Sequence, residues 1–138
     1  MNMRRLTLPA FLLVAVFLPL VPASADDTPL PKFAFLTHED GPFHSAIRSA
    51  EVMEEEFPFA DFRLIVAGEV LRYLASSDRA DAWTERAREA GITIEACALS
   101  LREEQIPEEH LPEGVATVPE GIMRMYQLAL LDYVTLSP

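Results

Sequence analysis

One thiol stands apart among the side chains able to do chemistry. Cys97 is the only cysteine among 138 residues, and it closes the run ITIEAC at residues 92–97. A single cysteine excludes a disulfide within the chain, so three roles stay open: a packed core residue, a bond to another molecule, or thiol chemistry. Where a strand gives way to a helix, the first N–H groups of the helix favour negative charge, by about 0.3 to 1 kcal/mol for a thiolate placed there. A neighbouring imidazole can take the thiol proton, and His38, in the loop Thr37-His38-Glu39-Asp40, is the candidate base for Cys97. His38, Glu39, Asp40 and His44 are also metal-ligating residue types. Their spacing matches no established site, so neither a metal nor an organic cofactor is expected. His110 lies in the acidic loop PEEHLPEG and reads as solvated.

Other reactions lack their residues. The sequence holds no G-x-G-x-x-G, no Walker A loop, no G-x-S-x-G elbow and no C-x-x-C, which removes the usual dinucleotide, nucleotide, hydrolase and dithiol chemistries.

The elements that must position Cys97 follow from periodicity. KFAFLT (32–37), DFRLIVAG (61–68) and ITIEAC (92–97) are compact apolar runs bounded by polar or glycine-containing turns, the pattern of buried strands. Between the first two, Phe43, Ala46, Ile47, Ala50, Met53 and Phe57 recur at helical spacing, with Gly41-Pro42 at the entry, Pro58 at the stop and the Glu51 to Glu56 acids on an exposed face. EVLRYLAS and DRADAWTERAREAG predict two further helices, split at Ser77 or Asp78 as a cap. Ala80, Trp83, Ala87 and Ala90 would form the apolar stripe of the second. A helical turn over 99–105, a short strand ATV (116–118), a helix EGIMRMYQLALL and a last strand DYVTLS complete the chain.

Strands alternating with helices predict a single three-layer α/β/α domain with a mostly parallel five-stranded sheet. In such a sheet the loops leaving the carboxyl ends of the strands share one rim, where ligands collect. His38, Gly68-Glu69, Cys97 and Pro119-Glu120-Gly121 all fall there. The last helix is apolar nearly all round, with Ile122, Met125, Tyr126 and Ala129 on one face. Such a helix is buried on more than one side, so a homo-oligomer is expected.

Residues 1–25 read as a secretory signal peptide: Arg4-Arg5, an apolar run from Leu8 to Val21, then Ala23-Ser24-Ala25. That leaves 26–138 as the domain, periplasmic or secreted, with no membrane association once the signal is gone. Without Arg4 and Arg5 the remainder holds nine basic against 22 acidic residues, a net charge of −13. So acidic a surface repels phosphate backbones, and nucleic acid is excluded as a partner.

The run ITIEACALSLREEQI, followed by LPEGVATVPEGIMRMYQLALLDYVTLSP, resembles the DsrE/DsrF-like proteins. Ala96-Cys97, Leu111 to Val115, Val118 to Gly121 and the closing aromatic strand at Tyr133 to Pro138 carry the likeness. The resemblance implies trimers or hexamers, and a Cys97 that accepts sulfur as a persulfide and hands it on, with a sulfur-bearing protein or small sulfur compound as donor and acceptor. The chain would then be a carrier more than a turnover enzyme. Against this stands a second reading of the same residues: a non-catalytic ligand-binding or assembly module in which Cys97 is structural.

Overall fold

The computed structural model describes residues 29–137; the expected signal peptide lies outside them. Five strands, β1 (Lys32–Thr37), β2 (Asp61–Val66), β3 (Ile92–Cys97), β4 (Ala116–Val118) and β5 (Val134–Leu136), form one sheet in the order β4-β3-β2-β1-β5. Every neighbouring pair is parallel. The helices are α1 (Asp40–Glu56), α2 (Glu69–Ser76), α3 (Asp78–Glu89), α4 (Ala98–Glu103) and α5 (Gly121–Ala129), with one 3₁₀ turn at Glu108–His110. The three-layer α/β/α architecture is thus present, with a sheet that is parallel throughout.

Local chemistry explains the boundaries. Asp40 places a negative charge in the first turn of α1, and Pro58, two residues beyond Glu56, cannot continue the helix. Ser77 caps α3, accepting a hydrogen bond from the Arg79 N–H at 3.2 Å. The second strand stops at Val66 rather than Gly68, because Gly68 turns with φ of +60° into α2.

One face of the sheet carries the main core. Phe43 and Ile47 of α1, Val70 and Leu71 of α2, and Ala80 and Ala87 of α3 pack on Leu64, Val66, Ile94 and Ala96. On the other face, among the described residues, α5 packs on Ala34, Leu36, Ile65, Ala67 and Cys97 through Leu128 and Met125, with Tyr133 beside it. The buried residues of α5 are Gly121 and Leu128, whereas Ile122 and Tyr126 stand 53% and 65% exposed. A helix apolar nearly all round gives little sequence signal for which side it turns inward.

Trp83 packs against the edge of the main core rather than inside it. It is half-buried, with the His44 ring stacked on it at 4.3 Å and the Arg86 guanidinium over its face at 4.5 Å.

Candidate functional site

Parallel pairing sets Cys97 of β3 beside Val118 of β4 at the carboxyl edge of the sheet. The chain leaves both strands there, β3 into α4 and β4 through Pro119-Glu120 into α5. The starts of two helices therefore meet at one sulfur. Cys97 is itself the N-cap of α4, and its Sγ accepts the Ser100 N–H at 3.5 Å and the Gly121 N–H at 3.3 Å. N–H dipoles aimed at an acceptor from helix starts hold negative charge where it forms.

Gly121 makes the second contact feasible. A Cβ at this position would lie 3.3 Å from Ile65 Cγ2, 3.5 Å from Leu36 Cδ1 and 3.6 Å from Cys97 Cβ. A side chain here would need Ile65 to give by a few tenths of an ångström, so glycine fits this approach with the least adjustment.

The sulfur is enclosed but borders space. Cys97 is only 2% exposed, yet it lines a cavity of about 270 Å3 with His38, Gly68, Ser100, Glu120 and Ile122 among the other walls. The rim expected from topology is present, and His38 and Cys97 share it. The hydrogen bonds to the sulfur come from backbone N–H groups and not from His38. The β1–α1 loop is tied to the β2–α2 loop where the Val70 N–H donates to the His38 carbonyl at 3.1 Å. The Thr37 hydroxyl donates to the Glu39 carbonyl and accepts the Glu39 N–H, which keeps that turn in shape. Glu120 accepts the Ile122 and Met123 N–H groups at 3.0 and 2.6 Å, so its carboxylate caps α5. That leaves it no need of a catalytic role.

The potential metal ligands separate. His44 Nε2 lies 3.1 Å from the Tyr73 hydroxyl, against α2 and α3. Burial holds its imidazole below the ordinary value; Asp40 opposes this and Arg48 adds to it. Among the described residues no three His, Cys, Asp or Glu side chains gather as a metal set. His110 is exposed, beside an acidic cleft of about 750 Å3 between the 3₁₀ turn, α2 and α3.

Two features escaped the sequence reading. The backbone donors of Ser100 and Gly121 have no side-chain signature, although Val-Pro-x-Gly before an apolar helix marks where one would stand. A partly buried ion network centred on Glu95 crosses the α5 face: Arg124 binds Glu95 in two hydrogen bonds of 2.6 and 2.8 Å, Arg63 reaches Glu95 at 3.3 Å and also holds Asp61, and the Tyr133 hydroxyl donates to Asp61 at 2.5 Å. Burial raises the Asp61 carboxyl, but hydrogen bonds from Arg63 and Tyr133 outweigh it and hold the group below the usual carboxylate range. Its signal was visible as an acid inside ITIEAC and an arginine inside DFRLIV, charges in strands of a sheet covered on both faces.

Fold and site together define a three-layer α/β/α domain with a cysteine cavity at the carboxyl edge of its parallel sheet. The sequence matches no protein-family model and no curated protein. Two solved structures are similar in fold. MTH1491 of Methanobacterium thermoautotrophicum superposes with a TM-score of 0.67 at 14% identity, over 78% of this chain and 96% of that one. BT1422 of Bacteroides thetaiotaomicron gives 0.60 at 17%, over 78% and 94%. Both are described as proteins of unknown function, so the likeness is one of architecture.

Proposed function

We propose that this chain is an exported, DsrE-like, oligomeric carrier in which Cys97 holds sulfur as a persulfide. The observation that carries the proposal is the sulfur's setting: it borders a cavity of about 270 Å3 on the ligand-collecting edge of the sheet, and two backbone N–H groups point at it. The Cys97 thiolate attacks the outer sulfur of a persulfide or polysulfide, R–S–SH. The S–S bond of the donor breaks, R–S⁻ leaves, and Cys97 carries –S–SH. An acceptor thiolate then takes that outer sulfur and returns Cys97 to the thiolate, with no external oxidant or reductant. With no second cysteine in its own chain, the persulfide is not resolved to an internal disulfide. His38, on the same cavity wall, is the base that takes the thiol proton.

Intact mass after incubation with polysulfide tests this. A gain of one sulfur atom, absent in Cys97→Ser, is expected. A native thiol inert to iodoacetamide at mildly alkaline pH, with ready labelling of the unfolded chain, would sink the carrier reading. That outcome would favour the alternative, a non-catalytic module with a structural cysteine, which rests on the 2% exposure of Cys97 and its packing with Leu36, Ile65, Ala67 and Leu128.

Assembly is part of the proposal. Ile122, Met123, Tyr126, Leu130 and Leu131 are all more than half exposed on one helix and its end, more apolar surface than an isolated chain keeps without use. Further copies of this chain, as trimer or hexamer, are the proposed cover. Sedimentation of the processed chain should show them, and a monomer at micromolar concentration would refute them. Cleavage after Ala25, read by N-terminal sequencing of exported protein, tests the localisation.

A further inference from the structure

At the edge of the sheet opposite Cys97, α1 ends in a turn with two features that the fold itself disfavours. The Ala60 N–H donates to the Phe57 carbonyl at 3.1 Å, closing a four-residue turn with Pro58 second and Phe59 third. Phe59 has φ of +76°. A turn with proline second and positive φ third selects glycine or asparagine at that third position, and a bulky residue there is strained. Packing does not compensate, because Phe59 is 82% exposed. Its neighbours behave otherwise: Phe57 and Phe62 both lie against Phe33, with ring centroids 6.2 and 6.1 Å apart.

The second feature is electrostatic. Glu54, Glu55 and Glu56 occupy the last turn of α1, which has no basic residue, although the carboxyl end of a helix favours cations. Between this turn and the end of α3 lies a cavity of about 250 Å3 with Met53, Phe57, Phe59 and Phe62 in its apolar wall and Glu54 and Glu89 at its rim. Arg88, also at the rim, is bound through Nε and Nη2 to Glu85. The space, about 250 Å3 with an apolar wall, suits one large side chain.

We infer that this turn is a docking point for a protein segment that presents an apolar or aromatic side chain flanked by Lys or Arg. The apolar side chain enters beside Phe59, and the flanking cations meet Glu54, Glu89 and the carboxyl end of α1. A partner of this chemistry offsets both unfavourable features at once. Anionic membranes and nucleic acid are repelled by the same acids. The inference is independent of Cys97.

The test titrates the isotope-labelled processed chain with a synthetic peptide, Lys-Arg-Trp-Leu-Arg-Lys, and with a counterpart in which Glu replaces each basic residue. Amide shifts confined to 53–62 and 88–91 are expected with the basic peptide alone. Phe59→Asn should weaken binding at least about tenfold, as loss of a central aromatic anchor does, while the thermal midpoint holds or rises because asparagine tolerates the turn. Replacing Glu54 and Glu89 by Gln should reduce both affinity and its salt dependence. Absence of shifts at the turn, equal binding of the acidic peptide, or unchanged affinity in Phe59→Asn would overturn the inference. So would a lowered midpoint in that variant, which would assign the ring to the fold, or concentration-dependent shifts without peptide, which would assign the surface to a second copy.

Discussion

The two faces of the sheet solve burial differently. On the first, α1, α2 and α3 lay apolar stripes over alternate residues of β2 and β3, and Phe43, Ile47, Leu64, Val66, Val70 and Leu71 are fully buried. On the second, the intervening positions of the same strands include Asp61, Arg63 and Glu95, and α5 is fastened to them by Arg124 as much as by Leu128. The first face is held by non-directional burial, which tolerates sliding. The second is held by paired charges with fixed geometry, which do not. A helix whose first N–H must meet a sulfur at 3.3 Å benefits from the second kind of attachment. The network thus bears on the site although none of its members lines the cavity.

The largest effect expected from breaking this contrast is on the first face. Leu64→Ala should cost about 2–5 kcal/mol, read by denaturant unfolding, since the side chain is wholly buried and a cavity would remain. Leu130→Ser, at a residue 86% exposed on the other face, should change the stability of an isolated chain by less than about 0.5 kcal/mol. Equal costs would mean that the two faces are not the distinct environments described. Next comes Glu95→Gln, at about 2 kcal/mol, below the roughly 3–5 of a fully enclosed pair. The discount follows from the arginines, whose side chains remain 25% and 27% exposed and so keep access to water. The same variant should speed Cys97 alkylation, because α5 loses its fastening over β3 and the enclosed sulfur becomes easier to reach.

How much of this was legible in the sequence follows the same division. β1, β3 and β4 occupy the residues expected from their apolar runs, because contrast between apolar runs and turn residues is a local signal. The rim was legible too: topology alone brings His38, Gly68, Cys97 and Glu120 to one cavity. The orientation of α5 was not, since Ile122, Met125, Leu128 and Leu131 are equally apolar and Arg124 and Gln127 alone break the symmetry. Trp83 fits its helical stripe by spacing, yet His44 of α1 stacks on it and Arg86 of its own helix lies over its face, an arrangement decided where two helices meet. The donors to Cys97 are main-chain groups, identical at every residue, and only a fold can say which of them meet.

A smaller effect tests the link between α5 and the sulfur. Glu120→Ala removes the side chain that accepts the Ile122 and Met123 N–H groups and should cost about 1 kcal/mol in thermal unfolding. If the start of α5 positions the sulfur, the alkylation rate of Cys97 should change in this variant by more than in Ser77→Ala, which removes the equivalent cap of α3 far from the cavity. Equal rates in both would detach the cap from the site.

The smallest effect lies on the first face, where His44 joins α1 to α2 and α3 through Tyr73 and Trp83. Burial holds its imidazole below the ordinary value, against Asp40 and together with Arg48. The unfolded chain therefore takes up this proton first as pH falls. The contribution is fully present above about 6.5, the unfolded value, and is lost as pH drops through the lower folded one. Asp61 and Glu51 also titrate below their ordinary values in the fold, so their losses begin only in the carboxylate range. Unfolding by denaturant at a series of pH values between about 7 and about 5 should thus show a shallow decline that flattens in His44→Gln. An identical slope in the variant would show that the clasp between the three helices does not depend on a neutral imidazole.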